Sequence, residues 1–236
     1  MSETVDEFFR GRVRVIQSRR GYRFAVDAPL LADFVAIRLG ENVCELGTGN
    51  GIVALLLGFK PFGRLTAVEI QPGLAAQARR NIDLNGLGRR VEVVEADLRA
   101  WRPEEKFDVV VSNPPYIRKR TGFLSASNEK SIAKHEIACD LGDVLRAAAA
   151  LLRPVGRAYF VYPARRESDF RRAAGEAGLQ IRIIRRVLPR PGEPAHLFLA
   201  RLEFAAGPET EMAPLAVHGA DGVFTPEARS IFEGRP

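Results

Sequence analysis

The sequence predicts an α/β fold: a doubly wound sheet of seven strands, mostly parallel with an antiparallel last strand, preceded by a small N-terminal hairpin and helix. Three observations carry this. From Gly40 onward, short apolar runs alternate with helical patterns across short connections, the signature of a parallel sheet covered on both faces. One strand-to-helix turn is rich in glycine, Gly47-Thr48-Gly49-Asn50-Gly51. A later strand, Val109-Val110-Val111, runs into Asn113-Pro114-Pro115-Tyr116. Two prolines cannot donate to a sheet, so that strand must stop there.

Residues 12–26 read as the hairpin: Val13 and Val15, then Tyr22, Phe24 and Val26, alternate with polar residues around Ser18-Arg19-Arg20-Gly21. Asp27 stands where a helix N-cap belongs, with Pro29 in the first turn. Leu30, Leu31, Phe34 and Val35 give that helix an apolar face. Strands follow at Val43 to Leu46, Leu65 to Ile70, Val91 to Val94 and Phe107 to Ser112, with helices at Ile52 to Leu57 and Ala75 to Leu84. Asn85-Gly86 closes the second of these helices.

Residues 117–134 are polar and break the rhythm, a length that usually belongs to a functional loop. The alternation resumes with a helix at Leu141 to Leu152, a strand at Ala158 to Tyr162, a helix at Ser168 to Ala177 and a strand at Leu179 to Val187. The turn through Pro189-Arg190-Pro191-Gly192-Glu193-Pro194 leads to the last strand, His196 to Phe204. Beyond Gly207 the chain reads as a Pro- and Gly-rich tail, with Thr225-Pro226 as the start of one helical turn. The expected divisions are 1–39 for hairpin and helix, 40–204 for the core and 205–236 for the tail, within one globular domain.

A hydrophobic share of 46% over 236 residues suits one sizeable core. Cys44 and Cys139 suggest neither a disulfide framework nor a metal site, and the usage fits a reducing, cytoplasmic setting. The acidic N-terminus lacks the apolar stretch of a signal peptide, and no run has membrane-spanning length. The net charge of +6, mostly arginine, makes a polyanionic partner plausible without identifying one.

In open α/β sheets, ligands bind outside the carboxyl ends of the strands. Gly47–Gly51, Glu69 with Ile70, and Asp97 with Leu98 all fall at such ends, so they should line one crevice. A strand-end carboxylate can accept from ribose hydroxyls; it can also simply cap a helix, as Asp97 alone would. The glycine spacing is G-x-G-x-G, unlike the G-x-G-x-x-G of dinucleotide sites. The acid Glu45 just before it opposes a pyrophosphate and suits an ammonium group.

The run Glu45-Leu46-Gly47-Thr48-Gly49-Asn50-Gly51 resembles that of the class I, S-adenosylmethionine-dependent methyltransferases, which have a Rossmann-like core. The resemblance implies that the glycine turn, with Thr48, holds the methionine part of S-adenosylmethionine. It further implies that Glu69 holds the ribose and Asp97 the adenine amino group, with Asp27 closing over the cofactor.

Asn113 and the carbonyl of Pro114 offer two acceptors for the two hydrogens of a planar amino group, and Tyr116 offers a ring for stacking. Such hydrogen bonds favour the pyramidal geometry in which the nitrogen lone pair can attack a methyl group. No metal or nucleophilic side chain is then needed. The same tetrapeptide serves methylation of adenine or cytosine amino groups and of glutamine side chains.

Tyr22-Arg23-Phe24-Ala25-Val26-Asp27-Ala28-Pro29-Leu30-Leu31-Ala32, Ala133-Lys134-His135-Glu136 and Asp221-Gly222-Val223-Phe224-Thr225-Pro226-Glu227 are similar to segments of the family that N6-methylates adenine next to the anticodon of a valine tRNA. That resemblance implies a tRNA partner, and Arg118, Lys119, Arg120, Lys134 and His135 become candidate substrate contacts. Arg165, Arg166, Arg171, Arg172, Arg185, Arg186 and Arg190 are further cations that either meet phosphates or are solvated surface. The other readings are a protein glutamine-N5 methyltransferase, an N-methyltransferase acting on another RNA base, a nicotinamide oxidoreductase, and a non-catalytic RNA-binding factor with a degenerate site.

Overall fold

The computed structural model describes residues 3–18, 26–114 and 139–234. Pro115, Tyr116, Arg118, Lys119, Arg120, Lys134 and His135 lie outside the described residues, as do Tyr22 and Phe24.

In chain order the strands are β1 (Glu3–Phe8), β2 (Val13–Ser18), β3 (Val43–Leu46), β4 (Leu65–Glu69), β5 (Val91–Glu95), β6 (Phe107–Ser112), β7 (Leu152–Pro163), β8 (Gln180–Leu188), β9 (Leu197–Glu203) and β10 (Thr210–Ala216). The α-helices are α1 (Asp27–Phe34), α2 (Ile52–Leu57), α3 (Pro72–Leu84), α4 (Leu141–Leu151), α5 (Glu167–Glu176) and α6 (Pro226–Glu233).

The main sheet has eight strands in the order β10-β8-β9-β7-β6-β3-β4-β5. All pairs are parallel except those made by β9, which runs against both β7 and β8. The antiparallel strand is therefore the expected one at 197–203. The eighth strand, β10, comes from the segment read as tail: it pairs in parallel with the edge strand β8. Its burial pattern explains why the sequence concealed it, since Thr210 to Pro214 are exposed and only Leu215 is buried. Thr225 caps α6 by accepting from the Ala228 N–H at 3.2 Å, as Thr-Pro predicts.

Alternation along the strands divides the core between the two faces of the sheet. Val43, Val109, Val111, Tyr159 and Val161 face α1, α2, Ile82 of α3 and Ile231 of α6. Their neighbours Cys44, Val110, Ala158, Phe160 and Tyr162 face α4 and α5. From β3 the chain winds outward through β4 to β5; from β6 it winds the other way to β7. The strand order thus reverses between β3 and β6, and the crevice of a doubly wound sheet opens at that reversal.

Val13 to Ser18 of the expected hairpin form β2, while its second half, 19–25, lies outside the described residues. β2 pairs with β1, from Glu3↔Ser18 to Phe8↔Val13, around a turn at Phe9 to Arg12. Gly11 and, unusually, Phe9 and Arg10 take positive φ there. The partner of Val13 and Val15 is thus the acidic stretch before them, where Val5, between Thr4 and Asp6, gave too little alternation to mark a strand.

The free edge of β2 is covered by α3. Asn81 Oδ1 accepts from the Ile16 N–H at 2.7 Å, while Asn81 Nδ2 donates to the Ile16 carbonyl at 3.2 Å and to the Asn50 carbonyl at 2.9 Å. One turn on, Asn85 repeats the arrangement with the N–H and carbonyl of Arg14, at 2.9 and 2.7 Å. Two amides at i and i+4 of a helix match alternate residues of a strand.

Helix α1 begins at Asp27, with Val26 in the cap position and no side-chain cap bond. Asp27 is therefore the first helical residue and not the N-cap. Val26 is itself in the right-handed helical region, which starts the helix one residue early. Asp27 is 9% exposed and lies in the first turn, where the helix dipole favours a negative charge.

Candidate active site

The carboxyl ends of β5, β4, β3 and β6 form one row. Register places Glu69 opposite Glu95, Leu46 opposite Val68, and Leu46 opposite Ser112. Gly47 and Asn113 are the next residues beyond this last pair, where the two adjacent strands end. Ser112 Oγ donates to the Leu46 carbonyl at 2.9 Å and is fully buried, tying the two strand ends together.

The glycine turn is fixed by its own neighbours. Gly47, Gly49 and Gly51 have φ of 72°, 59° and 88°, a region that glycine enters without a Cβ penalty. Gly51 leans on Ala78 of α3, where an added Cβ would come within 3.3 Å of the alanine Cβ. At Gly47 an added Cβ would meet nothing within 4 Å, so the turn is open there. The N–H groups of Gly47 and Thr48 both donate to the Val68 carbonyl, at 2.9 and 3.0 Å.

Two carboxylates brace this turn. Glu69 accepts from the Gly49 N–H and the Gln71 N–H, each at 2.9 Å, and is 5% exposed. Glu45 accepts from Thr48 Oγ1 at 2.7 Å and from the Ala54 backbone, and is 2% exposed. Burial, reinforced by the nearby Glu69, raises the Glu45 carboxyl from 4.5 to about 8 against the lowering effect of those two hydrogen bonds. Glu45 thus spends its acceptors inside the turn.

Ile70 is 48% exposed beside Glu69, an apolar surface in an otherwise polar rim. Asp97 follows β5 and is clasped by Arg99: Nε to Oδ1 at 3.0 Å, Nη2 to Oδ2 at 2.5 Å, and the Arg99 N–H to Oδ1 at 3.0 Å. The Arg99 guanidinium lowers the Asp97 pKa. Leu98 points inward to the core with Trp101. Asn113 is half-buried and Pro114 buried. Asp27 sits at the start of α1, in contact through that helix with α2 below the glycine turn.

The sequence missed three things here: Arg99 as the partner of Asp97, Asn81 as the support of the turn, and Asn50. The side-chain amide of Asn50 is 1% exposed, and neither of its polar atoms has a hydrogen-bond partner among the described residues. The Asn81/Asn85 spacing was a visible signal, a polar pair on one face of α3. Arg99 is only two residues from Asp97, and it is the turn after β5 that folds its guanidinium back onto the carboxylate.

The basic residues divide. Arg171 binds Glu167 and Glu209; Arg172 binds Glu176; Arg185 binds Glu227; Arg186 binds Glu167 and Glu211. These four serve the surface of the fold. Among the described residues no cluster of three or more His, Cys, Asp or Glu could hold a metal, and no helix is long and apolar enough to cross a membrane.

An open glycine turn with braced acids on one side of a reversal point, and an amide–proline strand end on the other, fit an amino-acid-bearing nucleoside cofactor and a planar amine. That is the architecture of a class I S-adenosylmethionine-dependent methyltransferase. The model of the methyltransferase small domain family matches residues 24–168, more than half the chain. The curated tRNA1(Val) (adenine(37)-N6)-methyltransferase of Cronobacter sakazakii is 30% identical over 98% of this chain and 92% of its own length. Its counterpart in Yersinia pseudotuberculosis is 28% identical over 95% and 87%. Among solved structures, a predicted O-methyltransferase from Agrobacterium tumefaciens superposes with a TM-score of 0.69 at 26% identity, covering 89% of this chain and 96% of that one. The chain belongs to the methyltransferase small domain family and, within it, to the family of these curated relatives. It is an S-adenosylmethionine-dependent methyltransferase.

Proposed function

We propose that this enzyme methylates the exocyclic N6 of an adenine in tRNA, next to the anticodon of a valine tRNA, as the names of its relatives state for them. The observation that supports the chemistry is the register that pairs Leu46 with Ser112, so that the glycine turn and Asn113 both follow adjacent strand ends at the reversal point. A cytoplasmic location goes with this reading, because tRNA is there.

Gly47, Thr48, Gly49 and Gly51 hold the methionine end of the cofactor, Glu69 and Ile70 its ribose, and Asp97 with Leu98 its adenine; Asp27 closes the site from α1. Glu45 shapes the turn from beneath. Bound S-adenosylmethionine supplies an activated methyl group. The Asn113 amide oxygen and the Pro114 carbonyl each accept one N–H of the adenine amino group, which localises its lone pair toward the donor. From the sequence alone, Tyr116 offers a ring for stacking on the base. The rate comes from positioning and from acceptors fixed in advance. Two accepting carbonyls fit an NH2 acceptor; a hydroxyl acceptor has one hydrogen and would leave one of them idle.

The test is methyl transfer from labelled cofactor to bulk tRNA from a strain lacking the enzyme, with mass-spectrometric mapping of the product. N6-methyladenosine beside the anticodon is the expected result. Label in protein glutamine but not in RNA would overturn the proposal.

A further inference from the structure

The carboxyl edge of the sheet continues past the acceptor strand. β6 and β7 pair in parallel with Ser112 opposite Phe160, so Asn113 continues alongside Val161, and Tyr162 to Arg166 extend just beyond. β9 comes next: the Ala164 N–H donates to the His196 carbonyl at 3.0 Å, and the His196 N–H donates to the Val187 carbonyl of β8 at 2.9 Å. β8 then runs through Leu188 and Pro189 into Arg190. Arg165, His196 and Arg190 therefore follow Asn113 along one rim, over about three strand spacings, or roughly 15 Å.

This rim differs in charge from the rest of the arginine-rich half. The four arginines of α5 and β8 described above are each held by at least one glutamate. Arg165 is exposed, and its side chain has no ion pair or hydrogen bond among the described residues. Among the described residues Arg190 meets only Glu193, at 3.3 Å, with side chains 52% and 42% exposed. Such an exposed pair is worth about 0–1 kcal/mol, so a phosphate can replace the carboxylate at little cost. His196 is exposed between them. Behind them Arg166 lies over the Tyr162 ring at 5.3 Å and touches Asp169 at 3.4 Å, which fixes the turn that presents Arg165.

We propose that Arg165 and Arg190, with His196 between them as a hydrogen-bond donor, form the docking rim for the RNA phosphates that flank the methylated base. The inference rests on the RNA-substrate reading above and narrows its cation set to the positions next to the acceptor strand. An RNA strand whose target base enters beside Asn113 must carry its neighbouring phosphates along this edge or toward the cofactor side. On the cofactor side Glu69 is buried, and the cations Arg79 and Arg99 are already paired with Glu95 and Asp97. Arg165 gives up no internal acid on meeting a phosphate, so its attraction is not spent on exchange.

The experiment measures tRNA affinity against salt concentration and steady-state methylation, for the wild type, Arg165→Ala, Arg165→Ala/Arg190→Ala and the control Arg172→Ala. Each lost phosphate contact reduces the slope of log affinity against log salt by about 0.7 to 0.9. The double variant should therefore flatten the slope by about 1.4 to 1.8 and raise KM for tRNA about tenfold or more, with kcat and S-adenosylmethionine affinity unchanged. Arg165→Lys should recover most of the single-variant loss, and Arg172→Ala should match the wild type. An unchanged slope and KM in the double variant, with the wild type still methylating tRNA, would overturn the rim while leaving the substrate reading intact. A wild type that labels protein and never tRNA would overturn both.

Discussion

The two sides of the reversal point are built in opposite ways. On the cofactor side every named carboxylate is already engaged by the chain: Glu45 by Thr48 and Ala54, Glu69 by Gly49 and Gln71, Asp97 by Arg99. On the acceptor side a strand simply ends in Asn113-Pro114, next to a rim that carries Arg165 and Arg190. One half is braced by carboxylates held within the chain; the other ends in the half-buried Asn113 and the buried Pro114, beside exposed cations at the rim. The contrast suits the division of labour. A cofactor of fixed structure rewards a rigid mould, because ordering costs are met in folding. A large polyanion is gathered by charge and then specified at one base.

That contrast can be broken at Asn113. Replacing Asn113 with Ala should lower kcat about 10²- to 10³-fold, the usual loss when a fixed transition-state hydrogen bond is removed. Cofactor affinity, read by calorimetry, should stay close to wild type; a parallel loss would place Asn113 on the wrong side of the division. Glu69→Ala is the converse probe. It removes the acceptor for the Gly49 N–H and for the ribose, so cofactor affinity should fall about 10- to 100-fold, the effect of 1.4 to 2.8 kcal/mol. Affinity for tRNA should hold.

Asn81→Leu tests whether the mould depends on the hairpin. It would leave the Ile16 N–H, the Ile16 carbonyl and the Asn50 carbonyl without their buried partner, a loss of about 2–4 kcal/mol. Denaturant unfolding should show it, and hydrogen exchange should reveal faster opening of β2 before the main sheet.

Glu45 supplies a pH test. Its folded value is raised to about 8 from an ordinary 4.5, so between these values the folded state holds the proton more tightly than the unfolded one. Its contribution is fully present below about pH 4.5 and is lost as pH rises through about 8. Melting followed across that range should find Glu45→Gln gaining on the wild type as pH increases. A constant difference would mean that Glu45 ionises freely. The smallest expected effect is at Arg172, whose pairs with Asp169 and Glu176 are exposed. Arg172→Ala should change stability by no more than about 0.5 kcal/mol.

Much of this was legible locally. The glycine turn, the strand runs and Asn113-Pro114 each signal themselves through a backbone constraint: positive φ, continuous apolar residues, a missing N–H. The helix at 226–233 was legible through Thr225-Pro226 for the same reason. What escaped was relational. β10 is an exposed edge strand whose pairing lies with β8, and no periodicity marks a strand that buries one residue. The strand β1 went unread because Glu3, Asp6 and Glu7 leave it little apolar alternation, and it is Asn81 and Asn85 that seat β2 against α3. The arginines of α5 and β8 looked the same as Arg165 in sequence; their glutamates are up to 42 residues away.

The sequence by itself determined the alternating core, the cofactor turn and the acceptor strand end, because each follows from what neighbouring residues allow the backbone to do. Tertiary structure alone decided that the glycine turn and Asn113 follow neighbouring strands, that Glu45 turns into the fold with a raised pKa, and which arginines are held by glutamates. Those depend on strand order, burial and distant partners, quantities that a linear pattern does not contain.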